Sequence, residues 1–391
     1  MKKLVTGAFA LLAVSATYAQ SINNANENKA NQIGSSNQLS VTQKFDDAYL
    51  ATGSQHKNVN EYNQYGSNNK GTVYQEKNVN KNTTLQQNDN NEASTYQKGW
   101  SNTVDQKQYS TATWSGEKNI LNATQTGKAG QINQAQNWGK NNSGTATQQG
   151  GAYGMINQTQ NYSMNTATAI QVNQGGAFGA AINKIDQTQT QTGGLLNTST
   201  ARQELGDAVA VNNKISQNQN GSGNTQNAFQ KGANNTANQV QQNLMNDGDI
   251  QQVGDLNMSN QNAYGDNGLM RGVQTGNGND LLMAQNSGVG NKAWSYQYTN
   301  NNMTSVTQSG AGSNESRSYQ YGGDMNRATV SQNGFNNIAY SEQNGVNNMT
   351  NSRQEGGDQN RSTVVQTNAN QSHMGLQQGS GNSIVVTQSN Y

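Results

Sequence analysis

The residues with the clearest chemical pattern in this chain are asparagine and glutamine. Asn326 is followed six residues later by Gln332, and Asn337 is followed six residues later by Gln343. A side-chain carboxamide carries both a carbonyl acceptor and an NH₂ donor, so it can hydrogen bond to another carboxamide of the same kind. The pattern therefore predicts repeated pairing between side-chain amides, which requires elements that bring many copies of the unit close together.

The Asn-to-Gln step recurs throughout the C-terminal part of the chain. From Gln285 to Gln388, ten glutamines follow one another at intervals of 11 or 12 residues, and nine of them have an asparagine six residues before. We expect pairing and polymerisation to depend on Asn291, Gln297, Asn326, Gln332, Asn337, Gln343, Asn348, Gln354, Asn360, Gln366, Asn382, Gln388, and on Asn26 and Gln32 near the start. A glycine, suited to the positive φ of a tight turn, stands two residues after several glutamines, at Gly310, Gly322, Gly334, Gly345, Gly356 and Gly379.

The N-terminal part follows the same rule less strictly. Degenerate copies of the unit replace the asparagine, as in Gly130/Gln136, Gly154/Gln160, Asp255/Gln261 and Gly268/Gln274. The register is less regular at residues 44–57, 108–119 and 171–219, where we expect the turns to carry insertions. We see no linker and no second domain, so residues 20–391 are interpreted as one repeat domain.

Other chemistry-bearing residues form no convincing constellation. The two histidines, His56 and His373, lie in unrelated units, and the chain has no cysteine, which argues against a metal site. Carboxylates such as Asp247 and Asp249 fall at turns or outward positions, where solvated residues are the ordinary interpretation. We therefore expect no enzyme and no cofactor.

Composition limits the fold class and the partners. The 391 residues are 30% hydrophobic and 12% charged, with a net charge of +1 and no proline, while asparagine and glutamine make up about 30%. A conventional globular core needs more apolar side chain, but low charge, no proline and many amides are typical of stacked cross-β structure. The sequence has no basic cluster of the kind that binds nucleic acid, so we expect no nucleic-acid partner.

The first residues predict export. Lys2 and Lys3 precede a short apolar run from Leu4 to Val14, and small residues end at Ala19. This pattern is typical of a secretory signal peptide at residues 1–19, and the apolar run is too short to span a bilayer. No later segment is apolar enough to span one, so we expect a secreted protein without a membrane span.

The elements that position the amides are predicted to be β-strands. In the unit from Asn360 to Gln366, positions 1, 3, 5 and 7 carry Asn, Ser, Val and Gln, which is the period-2 alternation of a strand with one face turned inward. A strand of seven residues and a short turn, repeated, predict an all-β solenoid of about fifteen two-strand coils. Stacking at about 4.8 Å would let identical amides pair in a ladder.

The repeat also predicts self-association. The unit from Asn26 to Gln32 and the unit from Asn382 to Gln388 resemble those in the middle, so we expect unpaired strand edges at both ends of the solenoid. Head-to-tail contacts that do not close produce fibres. We therefore expect a homopolymer with cross-β structure.

The unit resembles a known repeat. The curlin repeat reads Ser-x₅-Gln-x-Gly-x₂-Asn-x-Ala-x₃-Gln, and the stretch from Gln332 to Gln343 fits it from its first glutamine to its last. The Asn-x-Ala-x₃-Gln half recurs at Asn91, Asn165, Asn235 and Asn291. The chain is thus similar to curlins, the secreted amyloid subunits of bacterial curli fibres. The resemblance implies a dedicated outer-membrane secretion pore, a nucleator subunit, and roles in adhesion to abiotic or host surfaces and in biofilm matrix.

Two alternatives remain open from the sequence. The chain could be a minor nucleator or accessory subunit rather than the main fibre subunit. It could also be a soluble β-solenoid that binds ice or a glycan, and ice-binding solenoids need a regular Thr-x-Thr file on one flat face. Such pairs do not recur in every unit; they stand at Thr111/Thr113, Thr145/Thr147, Thr166/Thr168 and Thr198/Thr200.

Overall fold

The computed structural model describes residues 26–44, 57–110, 117–173, 183–191, 193–204 and 212–389. The predicted signal peptide at residues 1–19 lies outside these ranges, as do parts of the three less regular stretches. Within them the chain forms strands and turns, and no helix.

Thirty strands alternate between two parallel sheets of fifteen strands each. Sheet A consists of Glu27–Ile33 (β1), Val59–Tyr65 (β3), Lys81–Gln87 (β5), Thr103–Ser110 (β7), Gln131–Gly139 (β9), Gly154–Asn161 (β11), Asn183–Gln191 (β13), Lys214–Ser222 (β15), Thr236–Leu244 (β17), Met258–Ala263 (β19), Asp280–Gln285 (β21), Met303–Gly312 (β23), Arg327–Phe335 (β25), Met349–Glu355 (β27) and Ser372–Gln378 (β29). Sheet B consists of Gln38–Lys44 (β2), Lys70–Glu76 (β4), Asn91–Trp100 (β6), Asn119–Lys128 (β8), Ser143–Ala152 (β10), Asn165–Asn173 (β12), Asn197–Glu204 (β14), Thr225–Lys231 (β16), Asp247–Val253 (β18), Leu269–Thr275 (β20), Lys292–Gln297 (β22), Glu315–Tyr321 (β24), Ile338–Asn344 (β26), Arg361–Thr367 (β28) and Ser383–Ser389 (β30).

Each coil contributes one strand to sheet A and the next strand to sheet B. Strands two apart in the chain pair in parallel, as β26 pairs with β28 through Ile338–Arg361 and Gln343–Gln366. The chain is therefore a β-solenoid of fifteen two-strand coils, and the predicted fold class is confirmed.

The period-2 alternation is visible in the burial of the strands. In β28, Ser362, Val364 and Gln366 are buried, and the residues between them face solvent more openly. The inward positions of the two sheets meet in a thin core, where apolar side chains pack between the amides. Alternation along a pleated strand thus explains how a chain with so little apolar residue still has an interior.

Core volume is conserved from coil to coil by pairing a large residue with a small one. Ile215 in β15 lies in the same coil as Ala228 in β16, and in the following coil the sizes are exchanged between Ala237 and Ile250. Because interiors are close-packed, two isoleucines or two alanines in one coil would strain or empty the core.

The turn glycines have positive φ, and their surroundings differ. Gly345 has φ +133°, and a Cβ at this position would lie 1.8 Å from the backbone carbonyl oxygen of Asn368 in the next coil. Gly356 has φ +63°, and a Cβ there would meet no atom within 4 Å. Only the first position therefore excludes a side chain on both conformational and steric grounds.

We expect Gly345→Asn to lower the free energy of unfolding by about 2 kcal/mol or more, because it combines a forbidden φ with a backbone clash. The matched control Gly356→Asn retains a φ that asparagine adopts readily, and we expect a change within about 0.5 kcal/mol. Urea unfolding of the soluble chain measures both. Equal losses from the two substitutions would contradict this account of the turns.

Candidate functional site

The most extensive polar feature of the interior is a glutamine ladder in sheet B. The Nε2 of each glutamine donates to the Oε1 of the glutamine one coil later, with N–O distances between 2.7 and 3.0 Å from Gln43 to Gln388. All fifteen strands of the sheet contribute one glutamine. The ladder satisfies amides that would otherwise be costly to bury.

A second ladder runs through sheet A and has one gap. Its bonds run from Gln32 to Gln241 and resume from Gln285 to Gln377. Ala263 of β19 occupies the position between them. As a result, the Nε2 of Gln241 and the Oε1 of Gln285 are buried without a hydrogen-bond partner.

The ladder glutamines also join the two sheets. The Nε2 of Gln343 in β26 donates to the backbone carbonyl of Arg327 in β25 at 2.9 Å, in addition to its bond to Gln366. Gln366 itself donates to the carbonyl of Met349 at 3.0 Å. Each amide therefore links its own sheet along the axis and the opposite sheet across the core, a second role that the spacing of the sequence does not reveal.

The asparagines bond differently from the side-chain pairing that the sequence suggests. The Oδ1 of Asn337 accepts from the backbone N–H of Asn360 one coil later, at 3.0 Å. The Nδ2 of Asn360 donates to the carbonyl of the turn residue Gly379 at 2.7 Å. Direct Asn–Asn side-chain bonds occur in a few coils, such as Asn314 to Asn291 at 3.3 Å. The asparagine thus fixes the turn and the start of each strand.

The predicted pairing residues occupy these two kinds of position. The glutamines Gln297, Gln332, Gln343, Gln354 and Gln366, and the asparagines Asn291, Asn326, Asn337, Asn348 and Asn360, are buried at 1% exposure or less. Those of the outermost coils, Asn26, Gln32, Asn382 and Gln388, are more exposed. The glycines Gly310, Gly322, Gly334, Gly345, Gly356 and Gly379 all have positive φ.

One degenerate copy of the unit is assigned to the wrong residues by the sequence. Asp255/Gln261 has the six-residue spacing, but the structure places Asn257 at the asparagine position, where its N–H donates to Asn235 at 2.9 Å. The glutamine position six residues later is then Ala263, and Gln261 lies two residues before it. An alternative asparagine two residues away made the spacing ambiguous.

The two ends of the described solenoid have unpaired strand edges and expose opposite hydrogen-bonding groups of the same ladders. Among the described residues, β1 and β2 each pair with one strand, and so do β29 and β30. The ladder direction leaves glutamine acceptors facing outward at the N-terminal coil and donors at the C-terminal coil. In sheet A, the side-chain oxygen at each asparagine position accepts from the backbone N–H one coil later, and this series ends at Gln371. The Oε1 of Gln371 is buried without a hydrogen-bond partner.

Apolar side chains are incompletely covered at both ends. Leu39 and Val41 in β2 are half-buried, as are Ile384 and Val386 in β30. These are inward positions of the outermost strands, whose equivalents in interior coils, such as Val364, are fully buried. Within the described residues, the end coils therefore have open core surfaces.

The titratable groups of the described residues include two carboxylates of β18 whose pKa values are shifted. Burial raises the pKa of Asp247 and of Asp249 above their ordinary values, with Arg271 opposing the shift. In the described ranges no three His, Asp or Glu side chains are grouped to hold a metal ion. The same ranges contain no helix that could cross a membrane.

No protein-family model matches the chain, and no match to a curated protein is found. The class of protein is therefore defined by the structure itself, as a repeat protein with a β-solenoid fold.

A ladder glutamine and its exposed neighbour give a matched test of the ladder. We expect Gln252→Leu to lower the free energy of unfolding by about 2–4 kcal/mol, because Gln230 and Gln274 each lose a buried partner. Gln251→Leu changes the adjacent exposed residue of β18 and should shift stability by no more than about 0.5 kcal/mol. Urea unfolding of both variants measures the difference. If Gln252→Leu is as stable as Gln251→Leu, the ladder does not stabilise the fold.

The gap at Ala263 gives the opposite test. We expect Ala263→Gln to raise the free energy of unfolding by about 1–2 kcal/mol, because the new amide accepts from Gln241 and donates to Gln285. Ala263→Met fills similar volume without these bonds and serves as the control in thermal and urea unfolding. A gain with methionine equal to that with glutamine would assign the effect to packing alone.

Proposed function

We propose that this chain is the structural subunit of an extracellular curli-type amyloid fibre, which it builds by stacking end to end. The observation that carries the proposal is that both ladders reach the outermost described coils, where each strand has one unpaired edge. A ladder with donors at one end and acceptors at the other is completed by a second copy in the same orientation.

The coil-to-coil register defines how two copies would meet. Continuing it places β1 of one copy on β29 of the copy before, and β2 on β30. Gln377 then donates to Gln32, and Gln388 donates to Gln43. On the sheet B side, Ile384 meets Leu39 and Val386 meets Val41, so the open core surfaces cover one another.

The buried acceptor at Gln371 fits the same arrangement. Its own N–H donates to the Oδ1 of Asn348 at 3.0 Å, as the interior asparagines do. Its Oε1 then faces the position that the backbone N–H of Asn26 takes in the next copy. An unpaired buried carbonyl is costly in the monomer, so docking removes that cost.

The finer assignment rests on the resemblance to curlins and on the predicted signal peptide. A secreted fibre subunit would serve cell-surface adhesion and biofilm matrix, with a secretion pore, a nucleator, and abiotic or host surfaces as partners. The alternative of a minor nucleator has the same repeats, and it is distinguished by seeding. A nucleator accelerates the assembly of another subunit, whereas a main subunit elongates on its own fibres.

A soluble binding module for ice or glycans is the second candidate function. Thr166 and Thr168 of β12 align with Thr198 and Thr200 of β14 on the outer face of sheet B. Thr145 of β10 extends the file by one coil. Thr225 of β16 follows Thr198, but Asn227 follows Thr200, and Asp247 and Asp249 occupy the next positions, where the file ends. A file of three coils offers a small contact face, which favours the fibre.

Purified chain diluted from denaturant should form fibres with a meridional X-ray reflection at about 4.8 Å, the spacing between stacked strands. Seeds made from these fibres should shorten the lag of fresh protein. A chain that stays monomeric for days, or fibres without that reflection, would overturn the proposal.

A variant at the last strand tests the direction of assembly. The backbone N–H of Arg361 in β28 donates to the carbonyl oxygen of Asn382 in the following coil at 2.8 Å. Arg361 pairs with Ser383 of β30, and Val385 lies two residues after Ser383. The backbone N–H of Val385 therefore points to the same side, away from β28. Val385→Pro removes a donor that faces away from β28, so we expect an intact monomer that does not elongate seeds. Val385→Thr retains the N–H and should elongate normally. Equal elongation by both variants would contradict stacking through β30.

A further inference from the structure

His373 lies at the open end of the solenoid, at an inward position of the last sheet A strand. It follows Thr350 of the preceding coil in register. Its Nε2 is buried and has no hydrogen-bond partner. None of the described residues supplies a donor to this nitrogen, so its acceptor capacity is unused in the single chain.

The opposite end carries a donor aimed at the equivalent position. Asn28, Asn60 and Asn82 stack in successive coils of sheet A. The Nδ2 of Asn82 donates to the Oδ1 of Asn60 at 2.7 Å, and that of Asn60 donates to the Oδ1 of Asn28 at 2.6 Å. Each amide in this column therefore points its donor toward the preceding coil. For Asn28, the preceding coil would belong to another copy of the chain.

We propose that, at the junction between two copies, the Nδ2 of Asn28 in one copy donates to the Nε2 of His373 in the copy before. Only a neutral imidazole can accept this hydrogen bond. The partner is a second copy of this chain, and the inference rests on the proposed end-to-end assembly. The register that joins Gln377 to Gln32 also brings His373 over Asn28, four residues earlier on both strands. The neutral ring accepts the amide N–H, whereas the protonated ring has donors on both nitrogens and no acceptor.

Among the described residues, no other titratable group faces this imidazole from β27, β28 or β30. The inward residues of β27, β28 and β30 are Thr350, Ser352, Gln354, Ser362, Val364, Gln366, Ile384, Val386 and Gln388. In the docked copy, β1 and β2 turn asparagine, alanine, glutamine, leucine and valine inward. The charged residues there face outward, and hydrogen bonds from Lys29 and Lys57 lower the pKa of Glu27 to about 2. Glu27 therefore stays ionised over the range that matters.

The direction of the pH effect follows from burial. Burial already lowers the pKa of His373 below its ordinary value, and docking excludes more water and lowers it further. Because docking lowers the pKa of His373, the imidazole stabilises the junction fully only when the pH is above the pKa of His373 at the free end. The junction weakens as the pH falls through that value, by up to about tenfold in affinity for each pH unit.

The test compares fibre growth at pH 7.5 and pH 5.0 with preformed seeds. For the unaltered chain we expect the soluble concentration at equilibrium to rise severalfold at pH 5.0, by no more than about tenfold for each pH unit below the pKa of the free end, with slower elongation. His373→Asn offers an Oδ1 acceptor that does not titrate, as Asn60 meets Asn28, so its fibres should change less than about twofold. His56→Asn removes the other histidine and should behave as the unaltered chain does.

The outcomes separate the inference from the proposed function. Fibres of the unaltered chain and of His373→Asn with equal pH dependence would overturn the junction assignment and leave the fibre proposal standing. Absence of fibres from every variant at both pH values would overturn both. If His373→Asn does not fold, His373→Thr repeats the residue of the preceding coil, keeps a hydroxyl acceptor, and should show the same loss of pH dependence.

Discussion

The structure depends on the match between the separation of stacked strands and the reach of a carboxamide to its own copy. At about 4.8 Å between coils, a glutamine side chain can donate to the next and accept from the one before. This match allows a chain with little apolar residue to have an interior, because each buried amide is satisfied by an identical neighbour. It also makes register strict, since a slip of one residue would turn every amide outward.

Much of this architecture could be predicted from the sequence. The six-residue step from Asn to Gln predicted inward-facing amides and about fifteen coils, and the fold confirms them. The predicted length of seven residues holds for many strands, but others have from six to ten residues. The bonding of the asparagines could not be predicted, because it depends on where the turn places its carbonyls, such as that of Gly379. The unit at Asp255/Gln261 was assigned two residues early, since Asn257 and Ala263 match the repeat only at the asparagine.

Packing between the sheets was also not visible in the repeat. The exchange of large and small residues between Ile215/Ala228 and Ala237/Ile250 conserves core volume within a coil, although the residues come from different units. Reading each unit separately hides such compensation, because the partners lie on opposite sheets.

The missing amide at Ala263 has a thermodynamic consequence. The interruption coincides with the boundary between two apolar clusters, one ending at Ile250 and the other beginning at Ala263. Only the sheet B ladder is continuous there, through Gln252, Gln274 and Gln297. In a linear array, where stability is a sum over neighbouring coils, this is the coil boundary at which local unfolding would cost the least free energy, while the backbone still joins the two halves.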